Sequence, residues 1–329
     1  MHILITGGTG FLGQHLAKAL LIQGHQISLL GRNFRDVQPL LAAGATPIMA
    51  DLRNTDAVRQ ACKHCDVVYH VGALSAAWGR RNDFFAINVG GTEAVVAGCC
   101  EHGVKRLLYV SSPSVVFDGK DQLNATEAVM YPRRFASIYS LTKKLGEDHI
   151  HAAPSSLETV ILRPKAIFGP GDRSLLPQLI AAARRKRLPQ IGAGTNLVDL
   201  TYVENVAHAL VLALDSPDAV GQTYTITNGE HVNLWAVILL VLQRLDLPTN
   251  LRQISLPLAL AAAAAMEARA ALTGQEPLLT RYSAAILGRT QTYDISAAQR
   301  DLGYVPLVSV AQGIEHTLKN LQAGRTKKR

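Results

Sequence analysis

The sequence predicts an α/β fold: a doubly wound parallel sheet followed by a smaller, mostly helical C-terminal region. Three observations predict it. In the first half, β-rich runs ("HILIT", "QISLL", "TPIMA", "DVVYHVG", "RLLYVSS", "TVILRP") alternate with helix-length segments such as Gly13–Gln23, Thr55–Lys63 and Gly91–Glu101. A glycine-rich string follows directly on the first strand. After residue 165 the alternation loosens into Pro- and Gly-rich loops ("FGPGD", "PQIGAGTN") and an Ala/Leu-rich helical region over 232–288. Strands alternating with helices imply parallel pairing, because the crossover helices must run right-handed over the sheet faces. No repeat or low-complexity linker divides the chain. The expected organisation is a core over 1–166 with 197–228 returning to it, a substrate-binding region over 167–196 and 229–322, and a basic tail over 323–329.

Composition narrows the function classes. The chain has 329 residues, 48% of them hydrophobic, enough for one large α/β domain or two intimate ones. A formal charge of +8 suits anionic ligands without choosing among them. The two basic clusters, Arg184–Arg187 and Arg325–Arg329, read as a solvated helix end and a frayed tail. Aromatics are 5%, with no basic–aromatic stripe, so nucleic acid is not an expected partner. Of the four cysteines, Cys62 and Cys65 have redox or zinc spacing, but no second pair follows. Core packing is the reading for them, and no metal site is expected. "HILIT" begins at residue 2, so no export segment is expected before it, and a reduced, cytoplasmic setting follows. The most apolar run, Leu256–Met266, is eleven residues long, short of the ~20 that span a bilayer. A buried helix is expected there, the alternative being a helix lying on a membrane surface as a peripheral contact.

The string "TGGTGFLG" (Thr6–Gly13) sits between the strand "HILI" and the helix "QHLAKALL". Gly7, Gly10 and Gly13 permit a tight turn and let a pyrophosphate approach backbone N–H groups at the helix N-terminus. In that context the string is a specific Rossmann-type signal, and Gly7, Thr9, Gly10, Phe11, Leu12 and Gly13 are candidate cofactor contacts. The tip of strand two lies 18 positions after Gly13, where a carboxylate usually holds the ribose 2′-hydroxyl of NAD. This chain has Gly31-Arg32 there instead. Arg32 can pair with a 2′-phosphate, so NADP(H) is expected, with NAD the alternative. A solvent-facing Arg32 is the plainer reading. Asp51 and Leu52 are expected beside the adenine, and Asp51 can equally cap a helix.

"YSLTK" places Tyr139 and Lys143 four residues apart, on one helical face. A free phenol, with a pKa near ~10, exchanges protons poorly at neutral pH. A neighbouring ammonium favours the phenolate and draws that value down.

With these residues in view, the chain resembles an extended short-chain dehydrogenase/reductase over nearly its whole length. The landmarks are "TGGTGFLG", "INVGGT", "VSSPSVVF", "YSLTK", "LRPKAIFGPGD", "VDLTYVENVAHA" and "YDISAAQRDLGYVP". Within that superfamily, "SAAWG", "GQEPLLTRY" and "RDLGYVP" are similar to the 3β-hydroxysteroid dehydrogenase branch, whose bacterial members include reductases of 2-alkyl-3-oxo acids. The resemblance implies that Tyr139 donates a proton to a substrate carbonyl, and that Lys143 lowers its pKa and holds the nicotinamide ribose. It implies that Ser112 hydrogen-bonds the substrate oxygen, with Ser114 a second candidate. Asn88 is placed beside the cofactor, unless it caps a neighbouring helix, and the backbone of Pro164 to Ile167 by the carboxamide. Val71, Gly72 and Ser111 complete the cofactor contacts. A homodimer formed through the Tyr139 helix is also implied.

Departures from the pattern are "HVGALS", Pro113 within the serine run, and Lys165 where small residues are frequent. Lys165 either lies at the rim of the active site or salt-bridges elsewhere. Trp78 either lines the substrate cleft or is simply packed. The expected reaction is hydride exchange between a ketone and a secondary alcohol on a hydrophobic small molecule, a 2-alkyl-3-oxo acid or a 3-keto/3β-hydroxy sterol. Lys165 and Arg80–Arg81 are the candidate carboxylate contacts. The rival readings are a nucleotide-sugar epimerase/dehydratase with tightly bound NAD, a steroid dehydrogenase/isomerase, and a non-catalytic NADP-binding module. The last has no use for an activated phenol.

Overall fold

The computed structural model describes residues 1–172 and 175–326. Its centre is a parallel sheet of seven strands: β1 (His2–Thr6), β2 (Gln26–Gly31), β3 (Thr46–Met49), β4 (Val67–His70), β5 (Arg106–Val110), β6 (Glu158–Pro164) and β7 (Thr223–Ile226). They lie in the order β7-β6-β5-β4-β1-β2-β3. The chain starts in the middle, winds outward to β3, then returns to β4 and winds the other way. That reversal opens a crevice beyond the carboxyl ends of β1 and β4. The four residues of β4 and five of β5 are buried throughout, as strands covered on both faces must be. Helices Phe11–Ile22 and Val203–Asp215 pack Leu16, Leu20, Val206 and Leu210 on one face. Thr55–Ala61 and Gly91–Glu101 pack Val58, Val95 and Cys99 on the other. Cys62 and Cys65 are buried in this second layer, where burial pushes the Cys65 thiol up to about 12.

The second region carries a smaller mixed sheet, in which Leu197–Asp199 pairs with His231–Asn233 and Gln291–Tyr293, and Gln291–Tyr293 with Gln122–Ala125. Residues 122–125, expected in the core, thus contribute a strand to the smaller sheet. Of the returning 197–228 segment, Val203–Asp215 and β7 join the core, while Leu197–Asp199 joins the smaller sheet. The 232–288 region is three helices: Leu234–Arg244, Leu256–Thr273 and Arg281–Gly288. Arg184–Arg187 is exposed at the end of the helix Leu175–Arg184. Helix Val310–Thr326 runs into the expected tail, and Lys327–Arg329 lie outside the described residues.

The expected burial of Leu256–Met266 does not hold. The run belongs to an 18-residue helix, Leu256–Thr273, long and apolar enough by length and composition to cross a membrane, with 17% of it buried. Its buried residues, Ala259, Ala263 and Ala270, form one narrow stripe of small side chains. Leu258 and Leu272 are 58% and 90% exposed.

Candidate active site

A cleft of about 560 Å³ runs along the carboxyl edge of the sheet. At its centre is the Gly7–Gly13 loop. Gly7 has φ +67°, and a Cβ there would lie 2.5 Å from Gly72 Cα. A Cβ on Gly13 would overlap the Gly7 carbonyl oxygen. The β1 loop therefore packs backbone against backbone, and helix Phe11–Ile22 begins at the cleft wall. Gly10 caps it without a side chain, and its first turn holds no acid. This is a cradle for a dinucleotide pyrophosphate, and the residues present fit one.

At the outer end, Gly31 has a packing reason of its own: a Cβ there would lie 2.5 Å from Thr9 Oγ1. Arg32 is 71% exposed, with its Nη1 3.7 Å from Asp51 Oδ2. Arg53 donates to Asp51 through Nε (2.9 Å) and Nη2 (2.8 Å). That hydrogen bonding holds the Asp51 carboxyl down at about 2. Asp51 is not the helix cap: Asn54 accepts from the Ala57 N–H at 3.1 Å and starts Thr55–Ala61. Two guanidiniums thus flank one carboxylate at this corner, and the Arg53 contribution had no signal in the motif.

At the inner end, Ser112 and Tyr139 both line the cleft. Pro113 opens a short 3₁₀ turn, Pro113–Val116, capped by Ser112 Oγ, which accepts the Ser114 N–H at 3.2 Å. The turn leaves Ser112 on the wall and Ser114 buried behind it. Tyr139 sits in the first turn of helix Ile138–His151, which Ser137 caps by accepting the Ser140 N–H at 3.0 Å. Burial pushes the Tyr139 phenol up to about 12, with the Ser112 hydroxyl pulling it partly back.

Lys143 stands behind the cleft wall. It lies one turn after Tyr139 but is 1% exposed and off the cleft wall, its Nζ 3.9 Å from the centre of the Tyr109 ring. Burial draws it down to about 7, and Glu147 restores part of that. Its ammonium lies against the ring and is coupled to Glu147, while the downward pull on the Tyr139 phenol comes from Ser112. Asn88 follows its other reading and holds a neighbouring segment. It is buried off the cleft, bonding the Leu74 N–H (2.7 Å), the Leu74 carbonyl (3.1 Å) and Thr142 Oγ1 (3.0 Å). It ties the π-helical turn Phe85–Gly90 to the cleft loop and the Tyr139 helix. Trp78 is half-buried and does not line the cleft, whose wall stops at Ala77; Arg80 and Arg81 are exposed off the cleft, with the Arg81 guanidinium 4.7 Å from the centre of the Phe85 ring.

Thr9, Phe11, Leu12, Leu52, Val71, Gly72, Ser111, Pro164 and Ile167 all line the cleft. Below it His70, buried between Thr6 Oγ1 (2.6 Å) and Thr92 Oγ1 (2.9 Å), is drawn down to about 3 by burial and by Lys143. It stays neutral and braces the floor. The residue that sequence reasoning missed is Tyr282, which lines the cleft from helix Arg281–Gly288. Burial and the nearby Tyr139 push its phenol up, against a downward pull from Ser114 and Ser140. The signal was present in "GQEPLLTRY", but nothing local gave the tyrosine a role.

Together the sheet order, the glycine cradle and the Ser112/Tyr139 pair define an extended short-chain dehydrogenase/reductase. The 3-beta hydroxysteroid dehydrogenase/isomerase family model matches residues 4–258, and the chain belongs to that family. It is an oxidoreductase acting on CH–OH and keto groups. It is 38% identical to the 2-alkyl-3-oxoalkanoate reductase of Stenotrophomonas maltophilia, covering 95% of this chain and 97% of that one. To the same-named protein of Shewanella oneidensis it is 34% identical, over 97% of this chain and 86% of that one. Its fold is like that of the UDP-glucuronic acid 4-epimerase of Bacillus cereus, solved with UDP-glucuronic acid and NAD (TM-score 0.77, 22% identity, 98% of this chain and 99% of that one).

Proposed function

We propose that the chain is an NADP(H)-dependent reductase of a hydrophobic ketone, a 2-alkyl-3-oxo acid in the first place and a 3-keto sterol in the second. The observation that carries the reading is one continuous cleft, with Arg32 at its outer end and Ser112 beside Tyr139 at its inner end. When bound, the nicotinamide supplies the hydride, or accepts it in the reverse direction. Ser112 hydrogen-bonds the substrate oxygen. Tyr139 keeps its proton across the neutral range and delivers it to that oxygen as charge develops there. Lys143 holds the cofactor ribose once its amine leaves the face of the Tyr109 ring, where it lies in this structure. The names of the curated relatives support the oxo acid. Consumption of NADPH, with NADH in parallel, on a 2-alkyl-3-oxo acid and a 3-ketosteroid tests the reading. Turnover of a nucleotide sugar by protein carrying its own NAD would replace it with the epimerase reading, which the fold likeness supports.

Arg32 is the test of coenzyme choice. Charged hydrogen bonds contribute about 1.5–3 kcal/mol, so Arg32→Ala is expected to lower kcat/KM with NADPH by roughly 10- to 100-fold and leave NADH unaffected. Equal losses with both would remove Arg32 from 2′-phosphate binding.

A pH profile tests Lys143. Reduction requires Tyr139 protonated and Lys143 cationic, and Lys143 loses its proton as pH rises through about 7. The kcat/KM for reduction, which reports the free enzyme, is expected to be level below that pH and to fall above it. Lys143→Arg keeps its charge and should carry the falling limb to higher pH. A limb that stays in place would assign the titration to another group.

A further inference from the structure

Behind the inner end of the cleft lies a second cavity, of about 100 Å³. Its wall is apolar, formed by Phe168, Leu179, Leu200, Val237, Ile238 and Ile286 among others. It adjoins the cleft: Ala166 lines both, and Tyr282 of the cleft and Ile286 of the cavity stand one turn apart on the same helix. Apolar cavities of comparable size, about 150 Å³, stay dry and take small hydrocarbons. Three polar residues touch this one. Asp199 is already committed, accepting the Tyr293 N–H at 2.8 Å and pairing with His231 Nδ1 at 2.6 Å. The Thr317 hydroxyl donates to the Gly313 carbonyl at 2.6 Å.

Lys165 is different. Its Nζ donates to Gln291 Oε1 at 2.5 Å and lies 5.6 Å from the centre of the Tyr293 ring. Among the described residues it forms no ion pair within 4.0 Å. An ammonium has three protons to donate, and this one meets a single neutral acceptor. Lys165 is half-buried, and a cation partly withdrawn from water is normally matched by an anion, because an unmatched charge away from water is costly. Burial draws Lys165 down to about 8, with Asp199 opposing, so it is charged at neutral pH. A cation short of an anion at the edge of an apolar cavity is the complement of an alkyl-bearing carboxylate.

We propose that Lys165 and this cavity form the acid-binding subsite of the substrate: the ammonium takes its carboxylate and the cavity takes an alkyl chain. The assignment rests on the reductase reading and deepens it. In a 2-alkyl-3-oxo acid, carbon 2 carries the carboxylate, the alkyl branch and the ketone carbon. These three substituents match Lys165, the cavity and Tyr139. Arg80 and Arg81, the other candidate carboxylate contacts, line neither the cleft nor the cavity and have no part in it.

The test is binding of octanoate and of 1-octanol to the full chain by calorimetry, for the parent, Lys165→Met, Lys165→Gln and Val237→Phe. Both Lys165 variants are expected to weaken octanoate at least ~10-fold and to leave octanol unchanged, since a charged hydrogen bond is lost and the apolar wall is kept. Lys165→Met should melt no lower than the parent, because it removes a half-buried charge that forms no ion pair among the described residues. Val237→Phe should weaken both ligands, and should raise KM for long 2-alkyl branches more than for a 2-methyl branch. Octanoate binding that ignores both Lys165 variants would overturn the proposal, as would a Val237→Phe effect independent of chain length. Binding needs no turnover, which separates the two readings. Octanoate held through Lys165 by a protein that reduces no oxo acid would sink the reductase reading alone. Oxo-acid turnover indifferent to Lys165→Met would sink this subsite alone.

Discussion

Tyr139→Phe is expected to lower the rate of ketone reduction by about 10²–10⁴, the usual contribution of a positioned general acid. The ring stays, so packing in the first turn of helix Ile138–His151 is kept. What disappears is the proton that burial holds on the phenol up to about 12. Dinucleotide affinity should be unchanged, because the Gly7–Gly13 cradle and the Arg32 corner do not involve the phenol. The measurement pairs single-turnover reduction with cofactor binding by fluorescence. Unchanged reduction would remove Tyr139 as the acid and point to Tyr282, the other phenol on the cleft wall. Joint loss of reduction and cofactor binding would mean that the substitution disturbed the cleft rather than the proton transfer.

Glu147→Ala is expected to destabilise the fold by about 3–5 kcal/mol, the range for removing one partner of a buried ion pair. The Glu147 side chain is fully buried, one turn after Lys143. It accepts Arg163 Nε at 2.8 Å, Arg163 Nη2 at 2.6 Å and the Tyr131 hydroxyl at 2.6 Å. Removing it strands a guanidinium inside β6 and takes the one nearby anion from Lys143. The second effect couples stability to activity: without Glu147 the Lys143 amine titrates lower still, and the falling limb of the pH profile moves to lower pH. Burial pushes the Glu147 carboxyl up, but the Arg163 guanidinium outweighs it, and the carboxyl lies below its ordinary range. Its stabilisation is therefore complete above the ordinary carboxylate pKa and is lost only as pH falls through the lower folded value. Urea midpoints of parent, Glu147→Ala and Glu147→Gln between pH 4 and 8 read all of this. A Glu147→Ala midpoint equal to the parent's would show that the pair contributes no net stability.

Much of the cofactor half was legible because its determinants are local. A strand, a glycine turn and a helix start within twelve residues of the N-terminus, and each has its own signal in side-chain size and periodicity. The Tyr139–Lys143 spacing is helical arithmetic, and the capping serine at 137 starts that helix where the spacing requires. Motif positions were less informative about where side chains point. Lys143 has the right spacing, yet its amine lies on Tyr109 of β5, whose phenol occupies the space that a Cβ on Gly146 would need. Asn88 has the right motif, yet it clamps Leu74 rather than facing the cleft. The alanine-rich run at 256–273 has the hydropathy of a core helix, but alanines bury only a thin stripe.

The sequence by itself determined the sheet and its dinucleotide edge, because periodicity, turn glycines and helix caps act between near neighbours along the chain, while the resemblance pointed to Ser112 and Tyr139. Only the tertiary structure decided that Tyr282, 143 residues after Tyr139, closes the same cleft. It alone decided that Arg53 shares the Asp51 corner, and that Lys165 meets an apolar cavity with no ion pair within 4.0 Å among the described residues. Those relations depend on how distant strands and helices stack, and so on burial and electrostatics summed over the whole fold.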